Sequence, residues 1–179
     1  DLASVKMKEM FYSHLTLTIG RQNLRFGNGL VVGDPDTNDA VAATTSAITA
    51  ADLSARKSFD ALRATLDYNP LVLDIFMAKI NPNTIGSGNN NDDTNLYGIN
   101  AAYKFNQYNS EAEAYIIAKH ARSIATRSIT TDVYGVRGSL EPISKLVLSG
   151  EIAAQKGHFD ATRDRSAWAA DAAASYAID

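Results

Sequence analysis

Apolar and polar side chains alternate along most of this chain with a period of two residues. Between residues 94 and 105, apolar or aromatic side chains such as Tyr97 and Ile99 occupy the odd positions, whereas polar ones such as Asn100 and Lys104 occupy even positions. This period is typical of β-strands whose two faces meet different surroundings. The pattern therefore predicts an all-β protein.

The alternation recurs in nine segments, and most of them are about 10 residues or longer, which is enough to cross a bilayer when the strand is tilted. Strands of ordinary proteins have about five or six residues. We expect strands over residues 5–12, 15–26, 58–68, 71–80, 94–105, 111–120, 130–140, 145–156 and 166–178.

The connections between these segments alternate between short and long along the whole chain. Asn69-Pro70 is a short connection, for example, and residues 81–93 form the long one that follows. Up-and-down membrane barrels have short turns at the periplasmic end and longer loops at the extracellular end. The spacing therefore predicts an antiparallel up-and-down transmembrane β-barrel with all its long loops at one end.

Aromatic residues lie near both ends of the expected strands, as the two aromatic girdles of membrane barrels do. Tyr68, Tyr103, Phe105 and Tyr176 adjoin short turns or the chain end, and Tyr97, Tyr134 and Trp168 lie near long loops. The alternative is that aromatic residues favour strands in general.

Composition excludes several other classes. The 17 basic and 20 acidic residues give a formal net charge of -3, which does not suggest a nucleic-acid-binding surface. No run of about 18 uncharged apolar residues is present, so a transmembrane helix is not expected. The absence of cysteine rules out disulfides and thiolate metal sites.

Alternation also assigns the two faces. We expect the lipid-facing side to carry an apolar set, and high burial of this set in a closed interior would indicate a soluble barrel instead. Its members are Tyr103, Ala112, Ile116, Leu146, Leu148, Ile152, Ala170, Ala172 and Tyr176.

Two segments depart from simple alternation. The apolar phase switches within residues 15–26, which suggests a bulge near Gly20 or a part beyond the membrane. Residues 71–81 are apolar on both faces, so the alternation does not assign their orientation.

Nine strands do not make a usual bacterial barrel, because single-chain barrels normally have an even number of strands. An open sheet would also leave backbone groups unpaired in hydrocarbon. We therefore expect residues 1–179 to be one region of a larger outer-membrane barrel, of which about nine strands are present.

The most distinctive residues lie near the N-terminus. Gly20, Arg21 and Gln22 begin a Gly-rich stretch that also contains Gly27, Gly33 and Asp34. Phe59, Asp60 and Arg63 lie in the next strand. This pattern resembles the alginate-export family of outer-membrane porins, whose members carry a Gly-Arg-Gln strand, a Gly-rich bend, a Gly-Asp pair and a Ser-Phe-Asp-x-x-Arg strand. The specific match covers about residues 1–80, and the remainder agrees in strand pattern. The resemblance implies an outer-membrane β-barrel that exports a polysaccharide.

Arg63 alternates with Leu62, Ala64 and Leu66, and an Arg facing lipid would cost roughly 2–4 kcal/mol at mid-depth, so Arg63 should face the lumen. There it could steer carboxylates or sugars, or it could pair with acidic residues and stiffen the wall. The expected lumen and solute-pathway residues are Arg21, Arg63, Asp67, Asn100, Lys104, Glu111, Glu113, Lys119, Arg137, Glu151 and Asp171.

Other sites are weakly indicated. Asp34-x-Asp36-x-Asn38 has the start of a calcium loop, but Asp39 stands where such a loop needs Gly, so a solvated turn is the simpler interpretation. No catalytic cluster, cofactor motif or metal-ligand spacing is present, so we expect no enzyme, no cofactor and no metal.

The expected function is an outer-membrane porin or channel of a Gram-negative bacterium, surrounded by lipid. It would pass hydrophilic solutes, with anionic solutes or a polysaccharide as candidates. The alternative is a structural barrel that sheathes or anchors a protein partner in the outer membrane.

Overall fold

A computed structural model of the chain describes residues 2–33, 59–80, 94–121, 129–158 and 163–178. Within these residues the chain forms nine β-strands and no helix. The strands are β1 (Ala3–Lys8), β2 (Leu15–Gln22), β3 (Phe59–Asp67), β4 (Leu71–Ile80), β5 (Thr94–Lys104), β6 (Glu111–Ala121), β7 (Ile129–Ile143), β8 (Leu146–His158) and β9 (Asp164–Tyr176).

Each strand pairs antiparallel with the next one in sequence, so the sheet has the order β1 to β9 without a crossover. This confirms the predicted all-β, up-and-down arrangement. The sheet is not closed, and in the described part of the chain β1 and β9 are its two edges.

The shorter connections lie together at one end of the sheet. They are residues 9–14, 68–70, 105–110 and 144–145, and each is shorter than the connections beside it at the opposite end. The predicted alternation of short and long connections is therefore confirmed.

The antiparallel registers place every strand residue on one of two faces. One face, which we call the covered face, carries the even-numbered residues of β1, β2, β4 and β5 and the odd-numbered residues of β3, β6, β8 and β9. The odd-numbered residues of β7 also lie on it up to Ser139, before the register with β8 shifts between Leu140 and Ile143. We call the other the open face. Ile116 on the open face is 53% exposed, whereas its neighbour Ile117 on the covered face is 2% exposed.

The lipid-facing set expected from the sequence lies on the open face. Its members are exposed, except Leu146, which is half-buried. High burial of these side chains, the outcome that would indicate a soluble barrel, is not observed. The orientation of β4, which the sequence leaves open, is also settled: Asp74, Phe76 and Ala78 are buried on the covered face.

Two predicted strand ends are four residues too late, and β7 continues to Ile143, past its predicted end at residue 140. β1 ends at Lys8 and not at residue 12, because the backbone turns at Glu9 (φ 57°) and Leu15 N donates to Tyr12 O. β2 ends at Gln22 and not at residue 26, and the register with β1 and β3 is unbroken up to its end. The change of phase in this segment is therefore not a bulge in the ladder.

Hydrogen bonds and ring contacts join neighbouring short turns into a rim. Asp67 N donates to His14 O, Lys104 N donates to Pro70 O, and Glu141 N donates to Tyr108 O. The His14 ring stacks on Tyr68, and a hydrogen bond with Tyr12 raises the pKa of the Tyr68 phenol above its ordinary value. The rim fixes the spacing of the strands at this end.

Candidate functional site

After Gln22 the chain leaves β2 and crosses the covered face of the sheet. We call residues 23–33 the strap. Gln22 is buried at its start, where its Nε2 donates to Ala61 O at 3.0 Å and to two carbonyls of β2. The strap closes on itself through Phe26 N to Val32 O (3.0 Å) and Gly29 N to Phe26 O (3.1 Å).

The strap supplies the apolar side chains that cover this face. Leu24, Phe26 and Val32 are all buried, and the ring of Phe26 stacks on that of Phe76 with centroids 4.7 Å apart. The guanidinium carbon of Arg63 lies 5.7 Å from the Phe26 centroid. Together with covered-face residues of the sheet, these side chains form the buried apolar cluster, whose other members are Phe59, Ala61, Ala78, Leu96, Tyr115, Ile117, Val133 and Ala153.

Two glycines of the sheet make room for aromatic rings beneath the strap. A Cβ at Gly98 would come within 2.3 Å of the Phe76 ring, and one at Gly135 within 2.1 Å of the Tyr115 ring. Each ring therefore lies flat across the neighbouring strand, in space that any other residue would occupy.

Carboxylates of β6 and β8 hold the tip of the strap through its backbone. Gly27 N donates to Glu113 Oε1 at 2.9 Å, and Asn28 N donates to Glu151 Oε2. The Tyr115 hydroxyl donates to the other oxygen of Glu151. Such charge-assisted bonds are stronger than neutral ones. Gly27 has a φ of +63°, and a Cβ there would lie 2.5 Å from the Glu151 carboxylate, so the tip fits only with glycine.

The side chain of Asn28 binds the strap to β7, β8 and β9. Its Nδ2 donates to Asp171 Oδ1 at 2.8 Å and to Ser149 Oγ at 3.3 Å, and its Oδ1 accepts from Arg137 Nε at 2.6 Å. Arg137 also donates to Glu111 at 2.7 Å. We call the polar side chains of this network the clamp, namely Asn28, Glu111, Glu113, Tyr115, Arg137, Ser149, Glu151 and Asp171.

A second polar group lies on β3 and β4 beside Phe26. Arg63 donates to both carboxylate oxygens of Asp74 at 2.8 Å, and the Thr65 hydroxyl also donates to Asp74. Asn100 is opposite Asp74 in register and is buried, and its Oδ1 has no hydrogen-bond partner among the described residues.

Ten of the eleven expected lumen residues share the covered face, and the structure divides them by accessibility. Asp67, Lys104, Lys119 and Asp171 are exposed, whereas Asn100 is buried and Glu113 and Glu151 bind the backbone of the strap. Glu111, Arg63 and Arg137 are partly buried and paired. Several groups expected to line a solute path therefore hold the strap in place.

Arg21 departs from the expectation. It lies on the open face, where it pairs bidentately with Asp60 at 2.9 Å, and both side chains are about half exposed at the long-loop end. The alternation of β2 places Gln22, and not Arg21, on the covered face. Asp34 of the family motif and the possible calcium loop at residues 34–38 lie outside the described residues.

Strand alternation indicates neither the strap nor the clamp residues Asn28 and Tyr115. The usable signal was the glycine run Gly27, Gly29 and Gly33, all of which have positive φ. A run of such residues indicates a backbone that turns tightly or approaches another surface closely.

The open face carries its own ordered pattern. Its polar residues at the long-loop end share one row of the register, namely Arg21, Asp60, Lys79, Asn95, His120, Thr130, His158 and Asp164. One row nearer the short turns, Asp132 and Lys156 are paired in register. Between the row of Asp132 and Lys156 and the short-turn end, the described strand residues of this face are uncharged in all nine strands. We call this region the uncharged belt.

Comparison with protein-family models, with curated proteins and with solved structures found no match. Among the described residues, no helix is long and apolar enough to span a membrane. The same residues contain no group of three or more His, Cys, Asp or Glu side chains arranged to hold a metal ion.

Replacing Arg63 by Gln should destabilise the fold by about 2 kcal/mol, because it leaves the buried Asp74 carboxylate without its charged donors. Arg21→Gln is the matched control, since it breaks a bidentate pair of the same geometry whose two members are exposed. Urea unfolding followed by Trp168 emission would measure both variants, and equal losses would show that burial of Asp74 is not decisive.

Proposed function

We propose that this chain forms part of the wall of an outer-membrane channel that passes hydrophilic solutes. The uncharged belt is the observation that carries the proposal. Large apolar side chains such as Ile99, Val136 and Trp168 are 54%, 54% and 75% exposed on it, while the covered face carries charged side chains such as Asp74 and Glu151 at the same level of the sheet. Exposed apolar areas of this extent mark a surface that meets another apolar phase.

A lipid bilayer fits this surface better than a protein partner does. The belt continues across every strand of the sheet, and its polar boundary follows one register row, with Asp132 and Lys156 one row further in. Tyr97 and Tyr134 lie next to these polar residues. Membrane barrels have an outward apolar band bounded by aromatic and polar residues. In this proposal the open face meets lipid and the covered face meets the lumen.

The open sheet supports a barrel larger than the nine described strands. Unpaired backbone groups of an edge strand cost several kcal/mol each in hydrocarbon. The edges at β1 and β9 must therefore be paired in a bilayer, and we propose that further strands close the wall. The residue pattern similar to alginate-export porins supports a location in the outer membrane of a Gram-negative bacterium and a hydrophilic or polysaccharide solute.

The strap adds a feature that suits a channel. It lies on the covered face and is held by charged and polar side chains from β6 to β9. A lumen filled in part by such a segment is narrower than the strands alone would make it. The size and charge of the solutes that can pass would then depend on the strap as well as on the wall.

Proteoliposomes containing the intact protein test the proposal. Trp168 is the single tryptophan of the chain and lies within the belt, so brominated acyl chains should quench its emission strongly. The same vesicles should swell in isotonic solutions of small sugars. Unquenched Trp168 would contradict membrane insertion, and quenched Trp168 without swelling would favour a structural barrel that sheathes or anchors a partner.

A further inference from the structure

The tip of the strap is bound by one register row of the covered face that is rich in acidic residues. Glu113, Arg137, Glu151 and Asp171 are paired in succession along this row from β6 to β9. Glu111, one row nearer the short turns, also pairs with Arg137. The clamp therefore contains four carboxylates and one guanidinium, so an excess of negative charge holds the strap.

The carboxylates bind the strap as hydrogen-bond acceptors. Gly27 N donates to Glu113 at 2.9 Å, and Asn28 N donates to Glu151. The second oxygen of Glu151 accepts the Tyr115 hydroxyl. An ionised carboxyl group only accepts hydrogen bonds, whereas a protonated one carries an O–H donor. Both oxygens of Glu151 face donors, so a proton on this group would displace one of its two hydrogen bonds.

Proton binding to the clamp is therefore linked to release of the strap. With the strap in place, the N–H groups of its tip favour the ionised form of the carboxyl groups that accept them. With the strap released, the same carboxyl groups lose these donors and bind protons more readily. The released state holds more protons, so the free energy that keeps the strap on the sheet decreases as the pH falls.

Among the described residues, Glu113, Glu151 and Asp171 are the carboxyl groups that accept hydrogen bonds from the strap. Asp74, beside Phe26, instead accepts from side chains of β3. Lysine and arginine side chains keep their charge in acid, and histidines gain theirs nearer neutral pH. The remaining groups of these types around the strap are Arg25, Lys104 and Lys119, while His120 and His158 lie on the open face and His14 lies in a short turn. The carboxyl groups of the clamp are therefore the groups that respond to acid.

We propose that the clamp is a proton-sensitive switch and that protonation of Glu113 and Glu151 releases the tip of the strap. Leu24 and Phe26 keep their apolar contacts with the sheet, so release begins at residues 27 and 28. The consequence for transport rests on the proposed function. A bound tip lies along the wall, whereas a released tip extends into the lumen and obstructs it, so acid should reduce the current through the channel.

Hydrogen exchange of the intact protein in lipid vesicles tests the switch directly. Exchange is compared at about pH 7 and at about pH 4, where carboxyl groups bind protons, and is corrected by the rates of an unstructured peptide. Protection of residues 24–32 should fall by about ten-fold or more, since bonds to charged acceptors are lost. Protection of β4 to β6 should remain. Unchanged protection of the strap, or equal loss in the strap and these strands, would overturn the proposal.

Glu151→Gln separates the clamp from other acid-sensitive groups. The amide keeps one acceptor oxygen and replaces the other with a donor, as a protonated carboxyl group does. The strap of this variant should be weakly protected already at about pH 7 and should change less in acid. Glu113→Gln, which faces Gly27 N, supplies the same comparison if Glu151→Gln does not assemble. A full wild-type response in the assembled variant would contradict the assignment to the clamp.

Asp67→Asn is the matched control on the same face. Asp67 is exposed and accepts from Asn69 N within its own turn, so this variant should keep the wild-type acid response of the strap. A loss of the response in Asp67→Asn as large as that in Glu151→Gln would show that the switch is not located in the clamp.

Conductance in planar bilayers distinguishes the switch from the proposed function. Wild type should carry a smaller KCl current at about pH 4 than at about pH 7, and Glu151→Gln should carry a small current at both values. A strap that loosens in acid in a protein that inserts without conducting would overturn the proposed function and leave the switch. A conducting protein whose strap stays protected in acid would overturn the switch alone.

Discussion

Replacing Ile116 by Arg should destabilise the protein in lipid vesicles by about 2–4 kcal/mol, which is the cost of a cation near the middle of the lipid face of a barrel. Ile116 lies within the uncharged belt, with Ile99 and Tyr134 on either side of it in register. In a soluble protein the same exposed position would tolerate the change within about 0.5 kcal/mol. Urea unfolding in vesicles, followed by Trp168 emission, would measure the loss.

Gln155→Arg is the control for this prediction. Gln155 is half-buried on the covered face of β8, so the same side chain would extend into the aqueous lumen. We expect a clearly smaller loss there. If Ile116→Arg cost no more than Gln155→Arg, the open face would not be in contact with lipid.

Much of the sheet could be predicted because period-two alternation reports each strand's own surroundings. On β6 the sequence places Ala112 and Ile116 on one face and Glu113 and Tyr115 on the other, as observed. The signal is local, so it needs no knowledge of the neighbouring strands. Antiparallel pairing then follows from the short connections.

The strap could not be predicted in this way because its contacts join residues far apart in sequence. Asn28 and Glu151 are 123 positions apart, and no local period encodes their hydrogen bond. The sequence pattern nevertheless shows two effects of the strap. β4 has an apolar residue on the covered face at Phe76 because Phe26 of the strap packs on it, and the phase switch after Gly20 occurs because Leu24 and Phe26 turn onto the sheet.

The same contacts explain why the expected lumen residues serve different roles. Alternation shows on which face a charged residue lies, but not whether another segment covers it. Glu151 and Lys104 are both on the covered face, yet Glu151 is buried by the strap and Lys104 is exposed. Accessibility, and therefore any contact with solute, depends on a segment that the strand pattern does not describe.

Gly135→Ala should destabilise the protein by about 2 kcal/mol, the usual cost of forcing an extra methyl group into a packed site. The added Cβ would lie 2.1 Å from the Tyr115 ring, so Tyr115 must move. Moving it breaks the hydrogen bond from its hydroxyl to Glu151, which also accepts Asn28 N. We therefore expect the strap to loosen, with faster amide hydrogen exchange at residues 24–32 than in the wild type.

Gly138→Ala is a matched control in the same strand, because no heavy atom lies within 4 Å of its added Cβ and the residue is on the open face. It should leave both stability and hydrogen exchange of the strap close to wild type. Loss of stability without faster exchange would mean that the clamp holds the strap independently of Tyr115. If the two variants behaved alike, the space above Gly135 would not determine the position of the Tyr115 ring. The coupling from Gly135 through Tyr115 and Glu151 to the strap would then be wrong.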